Sequence, residues 1–144
     1  MKLSCILTGL VFAVVVVAVL LLIMGVHFQR PVALQGTDLY NPASETIVSG
    51  VVTEVSEFSC PVSEGELGAH LMLQTADGVV RVHLAPSRIM RGQKLSFSAG
   101  EQLVVVGSQA RLLGKNDIIA REVKRGNETL IFRDAKGKLL LTQY

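Results

Sequence analysis

The apolar stretch from Leu3 to Phe28 constrains this 144-residue chain most, because it contains no Lys, Arg, Asp or Glu. As a helix rising about 1.5 Å per residue, Ile6 to Val26 would span roughly 31 Å, close to the hydrocarbon thickness of a bilayer, about 30 Å. We therefore predict an N-terminal transmembrane anchor over residues 1–28, with the rest of the chain outside the bilayer.

This stretch is too long for a cleaved secretory signal, whose apolar core has roughly 7 to 15 residues. The sequence after it, Gly25 to Pro31, also lacks the spaced small residues that precede a cleavage site. Lys2 precedes the stretch, so the positive-inside rule favours a cytoplasmic N-terminus. We expect a single-pass protein of the cell (inner) membrane, with its domain in the periplasm or outside the cell.

Small residues recur on one side of the predicted span. Cys5, Gly9 and Ala13 are spaced four residues apart, and small side chains at this spacing let a second helix approach closely. The alternative is that the spacing arises by chance. If the stripe packs against another helix, the chain has a membrane protein partner in addition to the lipid bilayer.

Charge is unevenly distributed along the chain, although the formal net charge is only +2. Residues 1–80 carry two Lys/Arg against seven Asp/Glu (−5), and residues 81–144 carry twelve against five (+7). Two interpretations are open: a solvated mixed-charge β surface, or a surface for an acidic or phosphate-bearing partner. The two cysteines, Cys5 and Cys60, would lie in different compartments, so no intrachain disulfide is expected.

Residues 29–45 contain Pro, Gly and Asn without hydrophobic periodicity, which predicts a linker. From residue 46 onward, alternating apolar residues predict a β-rich domain over residues 46–144. The predicted elements are strands at 46–58 (with a bulge at Gly50), 69–76, 79–84, 102–113 and 118–124, a short helix at 86–91, and a hairpin of 129–133 with 139–141. This order predicts a mainly β fold, an OB-like antiparallel small barrel with an added C-terminal hairpin, preceded by one transmembrane helix.

Asp77-Gly78 is the strongest local signal, because a type I′ hairpin turn requires positive φ at both central residues. A two-residue turn at this point pairs Met72 with His83. Successive residues of a strand alternate between the two faces of the sheet, so His70, Met72 and His83 are expected on one face and the apolar residues on the core face.

The segments Gly68 to Leu73, Val80 to Pro86, Gly100 to Ser108 and Ile119 to Val123 resemble uncharacterised, membrane-anchored bacterial proteins with an OB-fold-like small β-barrel domain. The resemblance extends over residues 46–141. It implies a fold and no activity, and no catalytic or binding residues follow from it.

Cys60, His70, Met72 and His83 form the sharpest chemical constellation. Thiolate, thioether and imidazole together suit Cu(I), whereas Cys and His alone would suit Zn. Neither Cys-x-x-Cys nor His-x-His spacing is present. The alternative is a half-exposed strand face beside an inert cysteine.

Catalytic motifs are missing from the sequence. It has no Gly-x-Ser-x-Gly elbow, no phosphate-binding glycine loop and no His-Glu-x-x-His motif. We therefore expect a protein that is not an enzyme. Nucleic-acid binding by OB domains relies on aromatic side chains that stack on bases. The sequence contains no Trp, so it does not favour this activity.

The sequence thus favours a non-catalytic, membrane-anchored binding module that serves as an accessory subunit of a larger membrane protein complex. The first alternative is an extracytoplasmic protein that handles Cu or Zn, or redox chemistry, through Cys60, His70, Met72 and His83. The second alternative is OB-type nucleic-acid binding.

Overall fold

The computed structural model describes residues 39–112 and 115–141, which form a mainly antiparallel β-sheet. The strands are β1 (Glu45–Ser59), β2 (Leu67–Thr75), β3 (Gly78–Pro86), β4 (Gln102–Leu112), β5 (Lys115–Arg125) and β6 (Glu128–Ile131). A short helix, α1 (Ser87–Gly92), follows β3, and two 3-10 turns, Pro42–Ser44 and Pro61–Ser63, flank β1. The helix expected at 86–91 is therefore present, with Pro86 as its N-cap.

The predicted anchor, residues 1–28, lies outside the described residues, and so does its packing stripe of Cys5, Gly9 and Ala13. Across 39–112 and 115–141, no helix is long and apolar enough to cross a bilayer. The end of the predicted linker packs on the domain, since Tyr40 is buried and Glu45 begins β1.

The strands follow the order β3-β2-β1-β4-β5-β6, and a further parallel pairing joins β3 to β5. Each of β1 to β4 therefore has two paired neighbours, and β5 has three: β3, β4 and β6. β1 is long because it serves two partners: its first half, from Glu45 to Val51, pairs with β4, and its second half, from Val51 to Ser59, pairs with β2.

Gly50 lies where β1 passes close to β2. A Cβ at this position would lie 2.2 Å from the carbonyl oxygen of Gln74, so a larger residue would push the strands apart. The bulge expected at Gly50 is found instead between Val52 and Glu54, where the register with β2 shifts.

The β2–β3 hairpin is present, but the predicted register is wrong by two residues. Thr75 pairs with Gly78, so the turn consists of Ala76 and Asp77. The Thr75 hydroxyl stabilises this turn, because it donates to the carbonyl oxygen of Gly78 at 2.8 Å and accepts from the Asp77 N–H at 3.2 Å. A two-residue displacement keeps every side chain on its predicted face and changes its partner, so His83 pairs with His70.

Buried apolar side chains form two clusters. The main core consists of Val52, Ala69, Leu71, Leu73, Val82, Leu84, Ala85, Met90, Phe97, Leu103, Val105, Ile118, Ala120, Val123 and Phe132. The second cluster consists of Tyr40, Cys60, Val62, Leu112 and Ile119, with Leu39, Phe58 and Ala110 packed against it. β5 contributes to both, since Ile118 belongs to the main core and Ile119 to the second cluster.

The C-terminal segment differs from the predicted hairpin. β6 ends at Ile131 and pairs with β5, and the predicted hairpin is present only in a short form, with one bridge between Arg133 and Leu139 and a bond of 2.9 Å from the Leu140 N–H to the carbonyl oxygen of Phe132. The reason is that Phe132 turns inward, where it is fully buried in the main core and its N–H donates to the carbonyl oxygen of Arg121 at 2.8 Å.

Candidate metal centre

The candidate ligands lie where β1 ends and where β2 and β3 pair. Cys60 follows β1 and begins the 3-10 turn Pro61–Ser63, and His70 in β2 pairs directly with His83 in β3. The chain folds back after the turn, because the N–H of Gly65 donates to the carbonyl oxygen of Cys60 at 3.2 Å. This fold brings Cys60 into contact with both histidines.

One sulfur and two ring nitrogens converge at this point. Cys60 Sγ lies 3.2 Å from Nε2 of His70 and 3.5 Å from Nδ1 of His83, and the three atoms all lie within 4.8 Å of one another. In a tetrahedral zinc site, with Zn–S of about 2.3 Å and Zn–N of about 2.0–2.1 Å, sulfur and nitrogen are about 3.5 Å apart. All three side chains are buried. The arrangement has the spacing of ligands around one ion.

Asp117 fixes the ring of His83. Its Oδ2 lies 3.0 Å from Nε2 of His83, and Arg81 donates to the same oxygen from Nη2 at 2.7 Å. Because a carboxylate in an ion pair only accepts hydrogen bonds, Nε2 of His83 carries a proton, and Nδ1 is the ring atom that faces Cys60, as a donor to its thiolate or, with its lone pair, as a metal ligand. Histidines that bind metals commonly donate their other N–H to a carboxylate in this way.

His70 is held by packing. The Phe58 ring stacks on it, with centroids 3.6 Å apart and planes 9° from parallel, while its buried Nδ1 has no hydrogen-bond partner among the described residues. Gly68 leaves room for the ring, since a Cβ there would lie 3.1 Å from Cε1 of His70. The shape of its surroundings therefore positions His70 with Nε2 facing Cys60.

The Cys60 thiol ionises more readily than an ordinary cysteine. Burial raises its pKa, but hydrogen bonds with His70, His83 and Ser63 lower it more strongly, from 9.0 to about 5. The thiolate is the form that binds metal ions. At neutral pH the sulfur is thus already in its ligating form.

The space around the three candidate ligands is closed. Ser63 Oγ lies 3.4 Å from Cys60 Sγ and donates to the carbonyl oxygen of Glu66 at 2.6 Å. The remaining space enclosed by these side chains does not admit a water molecule. Protein atoms, and not solvent, would surround an ion at this position.

Arg133 brings a buried positive charge to the same region. It is 3% exposed, and its Nη1 donates to the carbonyl oxygens of Leu84 and Ala120, both at 2.6 Å. Burial lowers the pKa of Arg133 to about 10, and the electrostatic interaction with the Cys60 thiolate opposes this shift. The guanidinium therefore favours the ionised form of Cys60.

Of the four ligands expected from the sequence, the structure brings together Cys60, His70 and His83. Met72 lies two residues nearer the turn, where it pairs with Arg81 and lines a separate cavity with Asp117. The register predicted from the sequence paired Met72 directly with His83. Because that register is wrong by two residues, Met72 lies farther along the strand than expected.

The sequence reasoning missed Asp117 and Phe58. Asp117 reaches His83 through the parallel pairing of β3 with β5, in which Arg81 pairs with Asp117. The OB-like strand order contained a signal for this contact, since it places the fifth strand beside the third. Phe58, near the end of β1, covers the site, since its ring stacks on His70.

Aromatic side chains in the described part of the chain do not form an exposed stacking surface. Tyr40, Phe97 and Phe132 are buried, and the half-buried Phe58 already stacks on His70. Base stacking on exposed aromatic rings is the main source of sequence-tolerant single-strand binding.

The uneven charge along the sequence is partly neutralised by folding. Three ion pairs, each 2.6–3.1 Å long, join basic residues of the second half to acidic residues of the first. The pairs are Arg88–Glu66, Arg91–Glu57 and Arg121–Glu45. This arrangement agrees with a solvated mixed-charge surface.

Comparison with solved structures finds remote similarities. The Stn1–Ten1 complex of S. pombe matches with a TM-score of 0.45 and 15% identity, over 58% of this chain and 59% of that one, less than two thirds of its length. An OBody bound to hen egg-white lysozyme matches with a TM-score of 0.43 and 14% identity, over 65% of this chain and 90% of the OBody chain. The N-terminal domain of PriB from Thermoanaerobacter tencongensis matches with a TM-score of 0.42 and 14% identity, over 60% of this chain and 99% of the PriB chain.

Comparison with curated proteins finds no match. A family model does match: that of the MamS/MamX magnetosome protein family, over residues 44–130. The matched residues include all three candidate ligands and Asp117, and they cover more than half of the chain.

Proposed function

The chain belongs to the MamS/MamX magnetosome protein family, and on that premise we propose that it is a non-catalytic accessory protein whose domain binds one metal ion. The ligands are Cys60, His70 and His83. The observation that carries the proposal is the buried convergence of one thiol and two imidazoles on a single point.

Electrostatics explain why this convergence suits a cation. The carboxylate of Asp117 accepts a hydrogen bond from the Nε2–H of His83, so in the neutral ring the Nδ1 lone pair faces the Cys60 sulfur at 3.5 Å. Two such lone pairs require a positive species between them. In the metal-free protein a proton shared between Nδ1 and the sulfur forms the hydrogen bond that lowers the pKa of Cys60, and a metal ion would replace this proton.

The ligand set favours a soft or borderline metal. Thiolate suits Cu(I) and Zn, and imidazole suits both as well, whereas Mg²⁺ and Ca²⁺ prefer oxygen ligands. The scaffold is an OB-like small barrel, which the cyclic pairing of β1 to β5 supports. Rigid strands hold His70 and His83, and this rigidity preserves the ligand geometry.

The accessory role concerns the membrane. Residues 1–28 would anchor the chain, and the stripe of Cys5, Gly9 and Ala13 would pack against a helix of a larger membrane assembly. The domain would then hold its metal site outside the cytoplasm, beside that assembly.

Metal content tests the site. The full-length chain with Cys5→Ser, purified in detergent without a histidine tag, is exposed to Cu(I) or to Zn(II), dialysed and assayed by elemental analysis. We expect one ion per chain, and none in the same chain carrying Cys60→Ala and His83→Ala. His27→Ala is the matched control, because it removes the remaining histidine of the sequence, and it should leave the content unchanged. Equal metal content in the double variant would refute the site.

Co-purification tests the accessory role separately. We expect Gly9→Ile with Ala13→Ile to release the chain from membrane proteins that co-purify with it, because the larger side chains block close helix packing. Cys60→Ala with His83→Ala should leave those partners bound. If the anchor can be exchanged for an unrelated span without loss of partners, the membrane face has no such role.

A further inference from the structure

We infer that the ion at Cys60, His70 and His83 is copper and that the site carries one electron by cycling between Cu(I) and Cu(II). This inference rests on the proposed metal site and adds the identity of the metal and its chemistry. It depends on the donor set, the coordination number and the rigidity of the surrounding side chains.

The donor set is the first argument. One cysteine and two histidines in a trigonal arrangement, with at most a weak further ligand, form the donor set of copper sites that transfer electrons. Here Sγ of Cys60 lies 3.2 Å from Nε2 of His70 and 3.5 Å from Nδ1 of His83, so three strong donors surround one point. Ser63 Oγ, 3.4 Å from Sγ, is placed as the weak further ligand.

Coordination number separates copper from zinc. Structural zinc takes four ligands, and catalytic zinc takes three with a water molecule as the fourth. The described residues supply three strong donors, and the space around them does not admit a water molecule. Copper fits three strong ligands with Ser63 as a weak fourth, whereas the described residues offer zinc no fourth ligand as strong as the other three.

Rigidity lets the same ligands hold both oxidation states. Asp117 fixes the ring of His83 through a hydrogen bond of 3.0 Å, and Arg81 holds Asp117 in place through a hydrogen bond of 2.7 Å. Phe58 fixes the ring of His70 by stacking at 3.6 Å. Groups that contact metal ligands in this way orient the ligands and tune the metal. The protein thus resists the change of geometry that would otherwise accompany oxidation.

The electron transfer is balanced without bond making or proton release. Cu(I) held by one thiolate and two neutral imidazoles has no net charge, and loss of one electron to an outer-sphere acceptor leaves Cu(II) with a net charge of +1. The electron returns from a one-electron donor in the reverse step. Nε2 of His83 keeps its proton, which it shares with Asp117 throughout.

Optical spectroscopy tests this inference. The full-length chain with Cys5→Ser is loaded with Cu(I), oxidised with hexacyanoferrate(III) and reduced again with ascorbate. We expect an intense visible thiolate-to-Cu(II) charge-transfer band that appears on oxidation, is lost on reduction and returns over repeated cycles with copper still bound. His27→Ala and Met72→Leu should keep the band. Cys60→Ser should bind copper without it.

The outcomes separate the two proposals. If copper or zinc binds at Cys60 and oxidation gives no such band, expels the copper or oxidises the cysteine, the electron-transfer inference is wrong and the metal site stands. If neither metal binds, both proposals fail. Circular dichroism of each metal-free variant shows whether the variant is folded, and His70→Gln provides a second ligand variant of similar size that should also abolish the band.

Discussion

The main core and the second cluster differ in the kind of side chains that they bury or contact. The fifteen residues of the main core are all apolar. The second cluster contains Cys60 and borders His70, His83, Asp117 and Arg133, each at most 3% exposed apart from Cys60 at 5%. Burying polar groups costs free energy unless they find partners. The main core therefore contains only side chains that stabilise the fold by apolar burial. The second cluster lies beside buried polar side chains that apolar packing does not require.

The same strands build both regions. In β2, Leu71 faces the main core and His70 faces the candidate metal centre. In β5, Ile118 faces the main core and Ile119 faces the second cluster. The alternation of side chains along a strand makes this possible. Substitutions on the two faces of one strand should therefore have separable effects, on metal binding or on stability.

The largest effect is expected on ionisation in the second cluster. In the Cys5→Ser chain, thiolate absorbance of Cys60 should titrate with a midpoint at about 5. His70→Ala with His83→Ala should raise that midpoint towards 9.0, because the hydrogen bonds from both rings are lost. An unchanged midpoint in the double variant would contradict this electrostatic account.

The same shift has a consequence for stability. Because the pKa of Cys60 is lower in the folded protein, its contribution is fully present above about pH 9 and is lost as the pH falls towards 5. The free energy of unfolding of the metal-free chain, relative to Cys60→Ser, should therefore decrease from pH 9 to pH 5. A difference that increases over this range would reverse the predicted sign.

In the main core, Leu73→Ala should lower the free energy of unfolding by about 2–5 kcal/mol, because it leaves a cavity among fully buried side chains. Denaturant titration measures this change. Metal content of the folded variant should remain one ion per chain. Ile131→Ala, at a residue that is 49% exposed, is the matched control and should change stability by less than about 0.5 kcal/mol.

Asp117→Asn tests the support of the site. Loss of the carboxylate removes the partner of both His83 and Arg81, and such changes typically lower metal affinity by about 10–100-fold. A competition titration with a chelator measures the affinity. Asp77→Asn, in the exposed hairpin turn, should have no effect. Equal affinities for the two variants would show that Asp117 does not support the ligand.

The smallest effect is expected for Phe58→Leu. Loss of the stacking on His70 should cost about 0.5–1.5 kcal/mol of stability, the usual contribution of such a pair. The visible band of the copper-loaded chain should also broaden, because the His70 ring has more freedom. Unchanged stability and an unchanged band would show that Phe58 does not position this ligand.

Local patterns predicted what local physics controls. Alternation predicted the strands and placed Leu71, Leu73, Val82 and Leu84 on the core face, where each is at most 1% exposed. It also placed His70 and His83 on a common face. The pairing register of β2 with β3 could not be predicted from the Asp-Gly signal alone. The Thr75 hydroxyl stabilises a turn that lies one residue earlier in the sequence.

The remaining features depend on contacts between distant parts of the chain. Asp117 meets His83 through a parallel pairing between strands 34 residues apart. Arg133 enters the site region because Phe132 is drawn into the main core. Neither contact has a local sequence pattern, so the sequence pointed to the three candidate ligands and not to the groups that position them.

X-ray absorption spectroscopy of the copper-loaded, full-length Cys5→Ser chain tests the central claim most directly. The account predicts a first coordination shell with one sulfur and two imidazole nitrogens, and loss of the sulfur in Cys60→Ser. A shell without sulfur, or one that is unchanged when Cys60, His70 or His83 is replaced, would contradict the assignment of these residues as the metal ligands.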